Sequence, residues 1–131
     1  MERDNIVLDS SFLIAYFCKD DSLHEKAKID AINLENKVAI LTSGVIHEVS
    51  NLLIYRKEYV LLDLVLKSFL QSGAFVILDS FSFLEVETYL RNSNIKNLSY
   101  TDVSLLFYSK YKNATVLTYD KKLISFIKNS N

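Results

Sequence analysis

The sequence predicts an α/β domain: a short parallel sheet of about four to five strands, flanked by helices in three layers. Three observations lead there. Short runs that are apolar throughout recur along the chain, as in Ile6-Val7-Leu8 and Phe75-Val76-Ile77-Leu78. Between them lie longer stretches with apolar residues every three or four positions, the spacing of a helix face. Strands that are continuously apolar and separated by helices belong to a parallel sheet covered on both faces. The 131 residues suit one domain spanning 1–131, and half are hydrophobic, enough for a proper core. No internal repeat, low-complexity segment or linker interrupts them.

The elements follow in order. Residues 6–8 form a buried strand, and a short helix over 10–17 starts directly after Asp9. In 23–34 the apolar positions Leu23, Ala27, Ala31 and Leu34 alternate with charges, as in a helix. Residues 38–41 are a second strand. Thr42 or Ser43 then caps a helix that runs to about residue 56. Residues 58–71 make another helix, unusually apolar for its length. Residues 74–78 are a third strand and 81–91 a helix. The polar stretch 92–98 reads as an ordered, exposed loop. A helix over 99–111, a strand over 115–118 and a last helix over 121–128 complete the chain.

Composition excludes several functions. There are 15 basic and 16 acidic residues, a net charge of −1, so overall charge does not point to nucleic acid or membrane. A single cysteine, Cys18, rules out an internal disulfide and fits a reducing cytoplasm as a small buried hydrophobe. No apolar run approaches the ~20 residues of a membrane span, and the N-terminus lacks the pattern of a signal peptide. With two glycines and no proline, there is no glycine-rich loop to cradle phosphate. Turns fall to Asn, Asp and Ser.

Four acids stand beside apolar sequence: Asp9, Glu48, Asp102 and Asp120. Carboxylates rarely go inside unless paired or protonated. Asp9 and Asp120 fall just past strand ends, and ligand crevices in open α/β sheets lie outside those carboxyl ends. Three of the acids have plainer roles available. Asp9 and Asp120 suit helix N-caps, and Asp102 suits a capping box with Ser99. Glu48 has no capping duty. Its helical neighbours Gly44, Val45 and Leu52 put it on an apolar stripe, with its head either in the site or reaching water. Converging carboxylates need a cation, and hard oxygen ligands suit Mg²⁺ or Mn²⁺. His24 and His47 lack partners for a zinc site and read as non-ligands.

Taken together, the motifs resemble those of the PIN-domain ribonucleases, most closely the toxin subunit of a VapBC-type toxin–antitoxin pair. The resemblance rests on Asp9-Ser10 after the first strand, on His24 and Ala27 in the second helix, and on Glu48 after the second strand. Ser99-x-x-Asp102 opens a late helix, and Thr118-x-Asp120 follows the last strand. The match covers nearly the whole chain; it departs in lacking proline and having little glycine. It implies a three-layer PIN-like fold and hydrolysis of RNA with one or two Mg²⁺ or Mn²⁺ ions, leaving a 5′-phosphate. By resemblance Asp9, Asp102 and Asp120 hold the metal, and Glu48 completes the site. Ser10, Ser99 and Thr118 are then supporting groups that orient carboxylates.

Substrate contacts are less marked. Lys19, Arg56, Lys57, Lys121 and Lys122 are candidates for holding phosphates, and equally ordinary surface. Tyr16, Tyr100 and Tyr119 flank the acidic motifs and could stack on bases, or serve as core with a wet hydroxyl. Residues 52–70 carry apolar side chains on more than one helical face. Either neighbouring helices bury the surplus or a partner does. The resemblance points to a homodimer and a cognate antitoxin. Other readings remain: a PIN-type RNA-processing nuclease, a non-catalytic PIN-like module, or a receiver-like domain. The last would use Asp79, at the end of the third strand, as phospho-acceptor.

Overall fold

The computed structural model describes residues 3–78, 83–93 and 95–129. Among them are four strands and seven helices. In chain order these are β1 (Asn5–Leu8), α1 (Ser10–Phe17), α2 (His24–Ile32), β2 (Val38–Thr42), α3 (Ser43–Tyr55) and α4 (Tyr59–Gln71). Then come β3 (Phe75–Leu78), α5 (Phe83–Asn92), α6 (Tyr100–Tyr111), β4 (Ala114–Leu117) and α7 (Lys121–Asn129). The expected start of the fifth helix at residue 81, and Asp79, lie outside the described residues.

The strands form one parallel sheet in the order β3-β2-β1-β4. Right-handed crossovers dictate the layers. From β1 to β2 to β3 the chain steps one way, so α1 to α4 share one face. It then returns past β1 to β4, which carries α5 and α6 to the other face, where α6 packs on β4 and β1. The predicted three-layer α/β fold is therefore the fold observed. The strand order reverses at β1, and such a switch point is where a parallel sheet opens a crevice. Asp9 is the first residue beyond β1.

Buried side chains of both faces meet on the two central strands: Val7, Leu8 and Leu41 on the sheet, Leu13, Val49, Leu53 and Val65 from α1, α3 and α4, and Leu105 from α6. The edge strands are less covered than their apolar sequences suggest, and Val76 of β3 is exposed. An edge strand has one neighbour instead of two.

Several boundaries move for visible reasons. β4 starts and ends one residue earlier than expected. Asn5 pairs with Ala114 and Leu8 with Leu117, and Thr118 leaves the ladder to turn its side chain toward Asp9. The α2 helix begins at His24, after an Asp21 carboxylate takes the Leu23 N–H (2.9 Å). Turns use Asn97 and Asn113 in the left-handed region, as the composition suggests, together with Gly73. Lys57 joins them, with φ 59°. It ends α3 in a Schellman motif: Glu58 N–H bonds Leu53 C=O and Lys57 N–H bonds Ile54 C=O, both at 2.9 Å. That position ordinarily takes glycine.

Candidate functional site

The register of β1 and β4 sets the site. Leu8 pairs with Leu117, so the residues that follow, Asp9 and Thr118, leave the sheet side by side. The Asp9 N–H bonds Leu117 C=O at 3.0 Å. Asp9 is only 3% exposed, and its carboxylate is held from one side. Ser11 and Thr118 hydroxyls both donate to Oδ2, each at 2.7 Å. Oδ1 receives no donor among the described residues. The two hydroxyls are themselves fixed: Tyr119 N–H donates to Ser11 Oγ (2.8 Å) and Asp120 N–H to Thr118 Oγ1 (3.0 Å). The start of α1 and the β4–α7 loop are thereby locked to each other through Asp9.

Glu48 is half-buried on α3, and Ser10 Oγ donates to its Oε1 at 3.3 Å. Burial raises its pKa above the ordinary carboxylate value, and the Asp9 charge raises it further, with smaller contributions from Asp102 and Asp120. Burial likewise raises Asp102, followed by the Asp9 charge, while hydrogen bonding from Ser99 opposes the rise. The four acids thus share one electrostatic neighbourhood. Among the described residues none of the four is in an ion pair. Gly44 contributes to the convergence: a Cβ there would lie 3.3 Å from Thr101 Oγ1. A glycine there spares Thr101, one residue before Asp102, a tight contact where the start of α3 meets α6.

The capping readings resolve individually. Asp9 stands at the N-cap of α1 but makes no side-chain cap bond, because its carboxylate is engaged with Ser11 and Thr118. Asp120 does cap α7, accepting the Lys122 N–H on Oδ1 at 2.9 Å. Ser99 caps α6 by accepting the Asp102 N–H at 3.1 Å. A cap and a site acid are compatible roles, since a helix N-terminus orients the carboxylate.

Ser11 is the residue that sequence reasoning missed. Ser10, expected beside Asp9, serves Glu48, and Ser11 serves Asp9. The signal was the Ser10-Ser11 pair itself, whose two hydroxyls diverge as α1 turns.

Lys19 and Arg56 stand at the ends of α1 and α3 opposite to their starts. Lys19 follows the end of α1, and Arg56 is the C-cap of the 13-residue α3. At about 1.5 Å per residue such a helix spans about 20 Å, and both helices start at the acidic edge and run away from it. Arg56 instead faces Cys18, whose buried thiol is pushed up chiefly by burial and then by Glu58. Lys57 closes α3 at the same far end. Lys121 and Lys122 are exposed directly after Asp120.

Tyr119 is not available for base stacking. Its hydroxyl donates to Asp30 Oδ2, Lys26 Nζ sits 4.6 Å over its ring, and Phe12 packs edge-on at 5.9 Å. It clasps α2 to the β4–α7 loop. Tyr16 lies on Phe12 and Phe17, and Tyr100 is exposed on α6. His24 bonds the Ala15 carbonyl (2.8 Å), tying α2 to α1, and His47 is exposed. An apolar cleft of about 270 Å³, lined by Phe12, Tyr16, Phe17, Leu34 and Phe75, contains none of the four acids.

Chemically, the four side chains offer hard oxygen donors, the kind that suits a hard divalent cation. Among the described residues, no three acidic, His or Cys side chains stand close enough to enclose an ion unaided.

The fold has clear relatives. The toxin VapC20 of Mycobacterium tuberculosis, titled a sarcin–ricin loop cleaving toxin, superposes with a TM-score of 0.79 over 92% of this chain and 93% of its own, at 18% identity. PAE2754 from Pyrobaculum aerophilum gives 0.64 over 93% and 84%, also at 18% identity. No curated protein matches the sequence. The PIN domain family matches residues 6–128, which includes all four acids, and the chain belongs to that family.

Proposed function

We propose that this chain is a metal-dependent endoribonuclease, the toxin component of a type II toxin–antitoxin pair acting in the cytoplasm. The observation that carries the proposal is Asp9: one oxygen pinned by two hydroxyls, the other with no donor among the described residues, with Glu48, Asp102 and Asp120 sharing its field. PIN-domain membership and the fold shared with VapC20 support it. Asp9, Asp102 and Asp120 hold one or two Mg²⁺ or Mn²⁺ ions, directly or through water. Such ions supply an activated water and neutralise charge building on a phosphodiester. Ser11 and Thr118 fix the Asp9 carboxylate through Oδ2, which would leave Oδ1 available to such an ion. Ser10 steadies Glu48, which orients the attacking water. Ser99 holds Asp102 at the start of α6.

Exposed apolar side chains support a partner. Val60 is 80% exposed and Leu70 73%, and Ile54, Tyr59 and Leu64 are also open. Among the described residues, neighbouring helices leave these side chains exposed. A second copy of the chain and an antitoxin are its proposed occupants.

The test is incubation of single-stranded RNA with the protein. Cleavage with Mn²⁺ or Mg²⁺, leaving 5′-phosphate ends and stopping in EDTA, is the expected outcome. Cleavage that persists in EDTA, or none with either ion, would contradict the proposal.

A further inference from the structure

An open surface groove of about 580 Å³ is lined by Lys96, Asn97, Leu98, Lys121, Lys122 and Phe126; it contains none of the four acids but is built from residues next to Ser99 and Asp120 in the chain. Both of its walls run directly into the acidic site. On one side the chain passes from Lys96 and Asn97 through Leu98 to Ser99, the cap that holds Asp102. On the other, Asp120 is followed at once by Lys121 and Lys122, and its own carboxylate bonds the Lys122 N–H. Asn97 takes a left-handed turn (φ 68°) on the first wall. Lys96, Lys121 and Lys122 are exposed, and none is paired with an acid among the described residues. Leu98 and Phe126 are half-buried against the core, so the floor between the lysines is apolar and fixed.

Three unpaired cations over an apolar floor match one ligand chemistry. A single-stranded nucleic acid offers a row of phosphates for the lysines and unstacked faces for the floor. A duplex keeps its base faces inside. We infer that this groove seats the single-stranded segment of the substrate next to the scissile phosphate, with Lys96, Lys121 and Lys122 as phosphate contacts. The inference deepens the nuclease reading and supplies what the acids lack, a way to bring an anion to a negative site. Lys19 and Arg56, at the far ends of their helices, have no part in it.

The probe is a short fluorescent single-stranded RNA, measured by anisotropy in EDTA so that no cleavage intervenes. Lys96→Ala and the double variant Lys121→Ala/Lys122→Ala are compared with wild type and with Lys19→Ala. The lysines are at the surface, so the folds should survive, and circular dichroism checks this. Each groove variant is expected to bind several-fold more weakly, with the salt slope reduced by about 1 per lysine removed. Lys19→Ala is expected to bind as wild type. A duplex of the same sequence should bind more weakly than the single strand and respond less to the substitutions. Unchanged affinity and salt slope in the groove variants would overturn the inference. So would equal loss on duplex and single strand, or equal displacement of the RNA by polyglutamate. Binding is read without cleavage, so failure of the groove and failure of the nuclease assignment remain distinguishable.

Discussion

Asp9 Oδ2 takes two hydroxyl hydrogen bonds while Oδ1 takes none among the described residues, and Ser10 turns instead to Glu48. Removing the Ser11 hydroxyl frees the Asp9 carboxylate to rotate and releases the Tyr119 N–H. Supporting groups of this kind typically matter by 10- to 100-fold. Ser11→Ala should therefore lower metal affinity or metal-dependent cleavage by about 10- to 100-fold, with melting changed little. A titration of cleavage rate against Mn²⁺ reads this directly, and a wild-type curve would remove Ser11 from the site. Glu48 and Asp102 give a pH signature. Both carboxyls are harder to ionise in the folded chain than in the unfolded one. In the metal-free fold their contribution to stability is therefore fully present below the ordinary carboxylate range and is lost as pH rises through the raised values. A divalent ion needs the ionised forms, so the increase in melting temperature caused by Mn²⁺ should grow across that same window. Scanning fluorimetry from roughly pH 4 to pH 8 with and without Mn²⁺ checks the sign; a stabilisation that shrinks with pH would contradict it.

At the scale of elements, most of what builds the site was readable in the sequence. Apolar runs located β1, β2 and β4, and their order placed Asp9 and Asp120 past strand ends. The Ser99–Asp102 cap was readable because a capping box has a fixed spacing. What was not readable depends on direction and packing. Lys19 lies ten residues after Asp9 in the sequence, yet α1 carries it away from the acids. Ser10 and Ser11 are indistinguishable until α1 sits against the β4–α7 loop. Tyr119 resembles a stacking residue until Asp30 of α2 takes its hydroxyl. Lys57 gives no local sign of its left-handed backbone, because the Schellman bonds that require it come from the end of α3. A non-glycine residue there carries a conformational cost of about 1–2 kcal/mol. Lys57→Gly should accordingly stabilise the protein by about 1 kcal/mol, seen in urea unfolding. A destabilised variant would show that the Lys57 side chain matters more than its backbone.

For the whole molecule, the sheet order explains why the acids converge. The reversal at β1 opens the crevice, β4 brings Thr118 and Asp120 beside Asp9, α3 brings Glu48 down from one face and α6 brings Asp102 from the other. Gly44 permits the last two to approach. The same fold leaves α4 and the end of α3 with an apolar surface that is exposed among the described residues. Sedimentation velocity at micromolar concentration should show a dimer, and a monomer there would count against a self-association face.

The central claim is that the four acids form a metal site for cutting RNA, and Asp9→Asn and Asp102→Asn test it most directly. Each keeps the side-chain shape and removes one charge, so the fold should remain cooperative in thermal unfolding. Both variants should lose Mn²⁺-dependent RNA cleavage by about 100-fold or more. Undiminished cleavage by both folded variants would contradict the claim.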